Sequence, residues 1–212
     1  MEEYRVTIIA ACYGRPLRTR RMINNILDQN ISGFEAFVIG DCCEDFQKMI
    51  DSGEVNEFKR RAESLGIKLH CYNLDKHYGD YGGPIYNYCI NLAKGKYVTF
   101  IGNDDIIEKD HLEHYLSEIE DTDHDLVYYK TYLDPSSSIR DPRLEISRIG
   151  HSEIIVKRSS IGELKHDRVY ATDWSLISKL IDKGISAKKA LSNRFTYRVM
   201  HIPGQDLKDN ID

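Results

Sequence analysis

Apolar, β-branched runs and amphipathic helical stretches take turns through the first hundred residues, and this alternation constrains the fold more than any other feature of the chain. Arg5 to Cys12 reads as a buried strand, and Arg15-Pro16 opens a helix whose apolar residues Leu17, Met22, Ile23, Ile26 and Leu27 recur on one face. Phe34 to Ile39 reads as the next strand. A helical stretch with Val55, Phe58, Ala62 and Leu65 stops at Gly66, and Ile67, Leu69 and Cys71 alternate as a further strand. Ile85, Cys89, Leu92 and Ala93 make a short helix closed by Gly95, after which Lys96 to Ile101 is again extended. The βαβ rhythm predicts an α/β fold with a central, mainly parallel sheet, helices on both faces and right-handed crossovers.

The strand that starts at Lys96 runs straight into Gly102-Asn103-Asp104-Asp105. Carboxyl ends of parallel strands are where α/β sheets place their ligand chemistry. Two adjacent carboxylates at a buried strand end repel each other, and a hard divalent cation bridging them to phosphate oxygens relieves that repulsion.

Beyond this point the pattern predicts a helix around Leu112, Leu116 and Ile119 and a tyrosine-rich strand from Leu126 to Leu133. A mobile polar loop is expected at Asp134-Pro135-Ser136-Ser137-Ser138, then a strand at Ile154-Ile155-Val156. Thr172 is expected to cap a helix bearing Leu176, Ile177, Leu180 and Ile181 that ends at Gly184, which sets Asp173 in its first turn. No repeat or linker interrupts the chain, so residues 1–212 read as one domain with a nucleotide-binding portion (1–105) and an acceptor-binding portion (106–212). The polar end, Gln205 to Asp212, reads as a cut from something longer.

A net charge of -5 offers no electrostatic footprint for nucleic acid. No apolar run approaches the ~18 residues of a membrane span, and the start of the chain lacks the basic and apolar regions of a signal peptide. The five cysteines show no zinc spacing and read as reduced thiols of a cytoplasmic protein. The histidines show no HExxH spacing, which disfavours a zinc hydrolase.

Six segments resemble, in order, the motifs of GT-A glycosyltransferases of the family 2 type. Val6 to Pro16 is similar to the family's opening strand, which ends in Pro-Thr-Tyr-Asn-Arg-Pro, and Phe34 to Asp45 to its Val-Asp-Asp-Gly-Ser strand end. Gly83-Pro84-Ile85-Tyr86-Asn87 followed by Ala93-Lys94-Gly95 resembles its Ala-Arg-Asn and Ala-x-Gly segment. Asn103-Asp104-Asp105 sits on the DxD position, Thr172-Asp173-Trp174 resembles Glu-Asp-Trp, and Tyr197 to His201 resembles Tyr-Arg-x-His. The variant motifs also resemble glycosyltransferase domains that large chlorella viruses encode within multi-domain glycosylation proteins, which would place the protein in a host cytoplasm.

The resemblance implies a metal-dependent glycosyltransferase that moves a sugar from a UDP-sugar donor to a hydroxyl of a glycan or glycoprotein acceptor. Asp173 would be the catalytic base. Ala11, Tyr13, Arg15, Asp41, Gly83, Tyr86, Asn87, Asn103, Asp104 and Trp174 would bind the nucleotide sugar, with Asp41 on the base. Mn²⁺ or Mg²⁺ would be held by Asp104 with help from Asp105 and His201. Gly40 and Gly102 stand where the family has aspartates, Thr172 where it has glutamate, and Tyr86 where it has an arginine that neutralises diphosphate. Loss of that arginine shifts the charge burden to the metal, so strict metal dependence is expected. A sugar nucleotidyltransferase would want a glycine-rich basic loop after the first strand, for which Tyr13-Gly14-Arg15-Pro16-Leu17-Arg18 is a poor candidate. An inactive nucleotide-sugar-binding module is the non-enzymatic alternative.

Overall fold

A computed structural model describes residues 3–200, so His201 lies outside the described residues. The parallel core forms as the sequence pattern requires: β1 (Tyr4–Cys12), β2 (Glu35–Gly40), β3 (Lys68–Asn73) and β4 (Gly95–Phe100) are joined by helices α1 (Pro16–Leu27), α2 (Glu44–Asp51), α3 (Glu54–Ser64) and α4 (Gly83–Leu92). Downstream come β5 (Ile106–Ile107), α5 (His111–Glu120), β6 (Leu126–Tyr128), β7 (Thr131–Leu133), β8 (Ser138–Arg140), β9 (Ile154–Lys157), α6 (Arg158–Ile161), α7 (Thr172–Asp182), β10 (Ala187–Lys189) and β11 (Tyr197–Val199).

The main sheet has seven strands in the order β10-β6-β9-β4-β1-β2-β3, and within it only β9 runs antiparallel to its neighbours. Side chains alternate across β1: Ile8 points into a core closed by α1, α2, α3 and α5, while Ile9 points into one closed by α4, α6 and α7. Both are fully buried, worth roughly 1.5–3 kcal/mol each. Gly95 is fixed by a close approach. A Cβ there would lie 2.5 Å from the Thr7 backbone nitrogen.

Three expectations are corrected. The strand foreseen from Leu126 to Leu133 is two strands in different sheets: the Tyr129 ring stacks on Tyr115 at 3.7 Å and its N–H donates to the Glu153 carbonyl at 2.8 Å. This anchoring turns the chain out of the main sheet and into a second one, β5-β11-β7-β8. The polar segment expected as a loop from Asp134 to Ser138 is a 3₁₀ turn over Asp134–Ser136 that folds β7 back onto β8, with Ser138 already in β8. Thr172 lies inside α7 and does not cap it; Ala171 holds the cap position with φ 61°, and the Thr172 hydroxyl donates to the Asp167 carbonyl at 3.0 Å. Helix α2 was not anticipated.

Among the described residues no helix is long and apolar enough to cross a membrane. None of the cysteines is paired, and Cys42 alone is exposed.

Candidate active site

The carboxyl ends of β1, β2 and β4 open into one mouth, and the residues around it adopt backbone conformations that cost energy. Five non-glycine residues with positive φ stand there: Arg15, Cys42, Asp80, Tyr81 and Ala171. Each such residue costs on the order of 1–2 kcal/mol and persists only where surrounding contacts fix it.

At the β4 end, Asp104 is buried and its Oδ2 accepts from Arg15 Nη1 at 2.5 Å, while Arg21 donates to its backbone carbonyl at 2.8 Å. Arg15 reaches it because Gly14 and Arg15 are both left-handed, turning the chain back over the strand end. Asp105 is engaged on both oxygens: Oδ2 accepts from the Tyr197 hydroxyl at 2.7 Å and Oδ1 from the Met200 amide at 2.9 Å. Gly102 explains its own departure from the family motif. A Cβ on it would meet Asp105 Oδ2 at 2.6 Å and Asp104 Oδ1 at 3.2 Å, so the two carboxylates fold into space that an aspartate would fill. Asn103 is buried, its amide donating to Thr19 at 3.3 Å.

At the β2 end, Asp41 accepts from the amides of Tyr78 at 2.7 Å and Gly79 at 2.8 Å, and His77 Nδ1 stands 3.1 Å from its Oδ2. The carboxylate therefore sets the loop that enters α4. Tyr13, 61% exposed, packs its ring 4.8 Å from His77 and leaves an open aromatic face beside Asp41. Gly82 and Gly83 let this loop close down: a Cβ on Gly82 would meet Ala11 at 3.0 Å, and one on Gly83 the Thr172 hydroxyl at 2.6 Å.

The far wall is the start of α7. Asp173 Oδ1 accepts from the Trp174 amide at 2.8 Å, and burial raises the Asp173 pKa above the usual carboxylate range while Arg140 pulls it down. Behind it lies Glu153, fully buried and pushed up to about 7 by that burial. Its Oε2 accepts from the Gly150 amide at 2.7 Å and its Oε1 faces Arg140 Nε at 3.0 Å. Trp174 packs against the α7 side of the core.

Tyr86 joins the two walls. It is half-buried by surface, and its hydroxyl is held protonated by desolvation first and then by the charge of Asp173. Around it sit His151 and His166, whose Nε2 atoms lie 2.8 Å apart. Asn87 fixes their tautomers: its amide donates to the His166 carbonyl at 2.9 Å, so its Oδ1 is left to accept from His166 Nδ1 at 3.1 Å, and His151 must then donate across the pair. Burial holds the two rings neutral, at about 3 for His151 and about 2 for His166. The sequence reading missed His77, Glu153, His151 and His166; an isolated glutamate immediately before the apolar run Ile154-Ile155-Val156 was the available signal.

Among the described residues no three His, Cys, Asp or Glu side chains come together as a metal cage. The donor set still suits a hard cation of the kind that completes its shell with substrate phosphates, since Asp104 presents a carboxylate at the strand end.

A seven-strand α/β sheet of this order, with carboxylates at the ends of β2 and β4 and another at the start of α7, defines a GT-A-like glycosyltransferase. The chain belongs to glycosyl transferase family 2, whose model matches residues 7–177. It is 23% identical over 196 residues to TuaG of Bacillus subtilis (strain 168), named as a teichuronic acid biosynthesis glycosyltransferase, covering 86% of this chain and 74% of that protein. Among solved structures it is similar to S. aureus TarS 1-349 with UDP (TM-score 0.76, 18% identity, 97% of this chain, 67% of the other). It is likewise similar to the same protein with UDP-GlcNAc (0.77, 19%, 95% and 60%). The mannosyltransferase PcManGT from Pyrobaculum calidifontis with GDP-Man and Mn²⁺ shares the fold at TM-score 0.67 and 17% identity, over 91% of this chain and 58% of that one.

Proposed function

We propose that this glycosyltransferase transfers a sugar from a UDP-sugar to a hydroxyl of a glycan acceptor with inversion at the anomeric carbon. The observation that carries the reading is the close packing of Gly82 and Gly83 between Ala11 in β1 and Thr172 in α7, which draws the strand-end carboxylates and Asp173 to one mouth, a diphosphate end and a base end. Asp41, with Tyr13 and His77 beside it, forms the base pocket: the carboxylate accepts the uracil imide N–H and a ring stacks on the base. TarS structures with UDP and UDP-GlcNAc support a uridine donor.

Asp104 would hold a divalent ion, and the Mn²⁺ in the PcManGT structure supports this choice. Such an ion supplies charge stabilisation to the leaving diphosphate. Arg15, a quarter exposed and already beside Asp104, adds a cation at the same place and offsets the arginine missing at Tyr86. Asp105 positions rather than ligates, since its oxygens serve Tyr197 and Met200. Asp173 takes the proton of the acceptor hydroxyl as its oxygen attacks the anomeric carbon; the bond to the diphosphate breaks and its electron pair leaves with UDP.

Incubation with UDP-sugars, Mn²⁺ and glycan acceptors tests the assignment. Acceptor-dependent UDP release is expected. Exchange of pyrophosphate into a sugar nucleotide would mark a nucleotidyltransferase, and binding without either would mark an inactive module.

A further inference from the structure

A cavity of about 350 Å³ opens on the side of the molecule where β7, β8 and the segment after β8 meet. Three arginines, Arg140, Arg143 and Arg148, line it, with Ser147 and the half-exposed Ile139. The acids on this wall are already matched: Asp141 is held by Lys189 at 2.7 Å, and Glu153 faces Arg140 at 3.0 Å. Arg143 and Arg148 form no ion pair among the described residues. They are nonetheless fastened together, because the Arg143 amide donates to the Arg148 carbonyl at 3.3 Å and a left-handed Ser147 tightens the turn between them. Glu145 lies in the same turn and the Arg143 charge bears on Asp141, which Lys189 already holds; two guanidiniums fixed at one turn still suit an added anion, which a planar guanidinium recognises through paired N–H groups.

The cavity is not remote from the chemistry. Arg140 lines it, ion-pairs with Glu153 and bears electrostatically on Asp173. An acceptor seated there is linked to the base through Arg140 and Glu153, since Gly150 lies against both Glu153 and Asp173, and Ile139 offers an apolar face to a sugar ring.

We propose that this cavity is an acceptor subsite for a glycan bearing an anionic group, a carboxylate or a phosphate, read by Arg143 and Arg148 and aligned to the base by Arg140. The proposal rests on the transferase reading and names its acceptor class.

Calorimetry with the full chain provides the test, titrating a trigalacturonate, a neutral trigalactose of the same length, and a phosphodiester-linked galactose trimer. At least one acidic oligosaccharide is expected to bind about tenfold tighter or more than the neutral one, with the gap narrowing as salt is raised. Whichever acidic probe binds better identifies carboxylate or phosphate as the group read. The Arg143→Ala/Arg148→Ala double variant should lose that gap while binding UDP as the parent does, which also shows it is folded. Equal binding of acidic and neutral probes, or a gap that survives in the double variant, overturns the subsite. If no UDP-sugar is turned over with any acceptor yet the acidic preference behaves as described, the UDP-donor reading fails and the anionic-glycan subsite stands. Turnover at equal kcat/KM with the neutral and acidic trimers leaves the transferase reading and removes the subsite.

Discussion

The Tyr197 hydroxyl donates to Asp105 Oδ2 at 2.7 Å and accepts from the Gly102 amide at 2.8 Å, fastening the end of β4 to β11 through one buried side chain. Tyr197→Phe keeps the ring and removes both bonds. A buried carboxylate and amide deprived of a partner cost about 1–3 kcal/mol, and the melting temperature should fall by several degrees. Thermal melts of the two proteins check this; an unchanged midpoint would show that Tyr197 contributes packing alone.

Asp104 was legible because a strand pattern ended on it, and the parallel core because its apolar periods of two and about four residues are local. What was not legible depended on distant encounters. Arg15 reaches Asp104 only through the left-handed Gly14-Arg15 turn, and nothing near Arg15 in sequence announces that partner. Asn87 bonds His166, which pairs with His151, and these residues meet only once β9 and α7 are assembled. The strand from Leu126 to Leu133 was misread because its split is caused by Tyr129 stacking on Tyr115, a contact outside the strand itself. Asp41 was placed correctly at a strand end, but its two backbone donors at Tyr78 and Gly79 belong to a loop the sequence left unassigned.

Those donors give Asp41 two duties, which sharpens its test. Asp41→Ala should weaken UDP by about 1.5–3 kcal/mol, since a hydrogen bond to a charged acceptor is lost, and should also loosen the loop entering α4. UDP should bind the parent protein better than GDP or ADP. Calorimetry giving one affinity for all three nucleotides would remove Asp41 from the base pocket.

Chelation with EDTA should abolish turnover and Mn²⁺ restore it, with Asp104→Ala reproducing the chelated state. Arg15→Ala tests the second cation separately: the ion pair at 2.5 Å is lost, and turnover should fall while the response to Mn²⁺ persists. UDP release assayed over a Mn²⁺ titration distinguishes the two. Full activity in EDTA would assign the diphosphate to Arg15 and remove the ion from the mechanism.

Asp173 is expected to be needed for transfer and dispensable for donor binding. Asp173→Asn should bind UDP as the parent does while transfer drops by about 10²–10⁴-fold, the usual worth of a general base. Burial raises its pKa, so the base becomes protonated at a pH where an ordinary carboxylate is still ionised, and kcat should fall on the acid side at a correspondingly higher pH. Glu153, held up to about 7 by burial first and in lesser part by the Asp173 charge, stays neutral on the acid side of that value. Glu153→Gln, a neutral stand-in for that protonated side chain, should leave the acid limb and the activity in place, whereas a limb that moves would show Glu153 already charged where Asp173 ionises. The same shift has a stability sign. A carboxyl whose pKa is raised by folding stabilises the protein below its unfolded value of about 4.3, and that contribution is lost as pH rises through the folded value, so the Gln variant should gain relative stability above pH 7. Proton NMR of the product decides the stereochemistry: an anomeric coupling showing inversion fits Asp173 as base, whereas retained configuration, or near-parental transfer by the Asn variant, would take that role away from it.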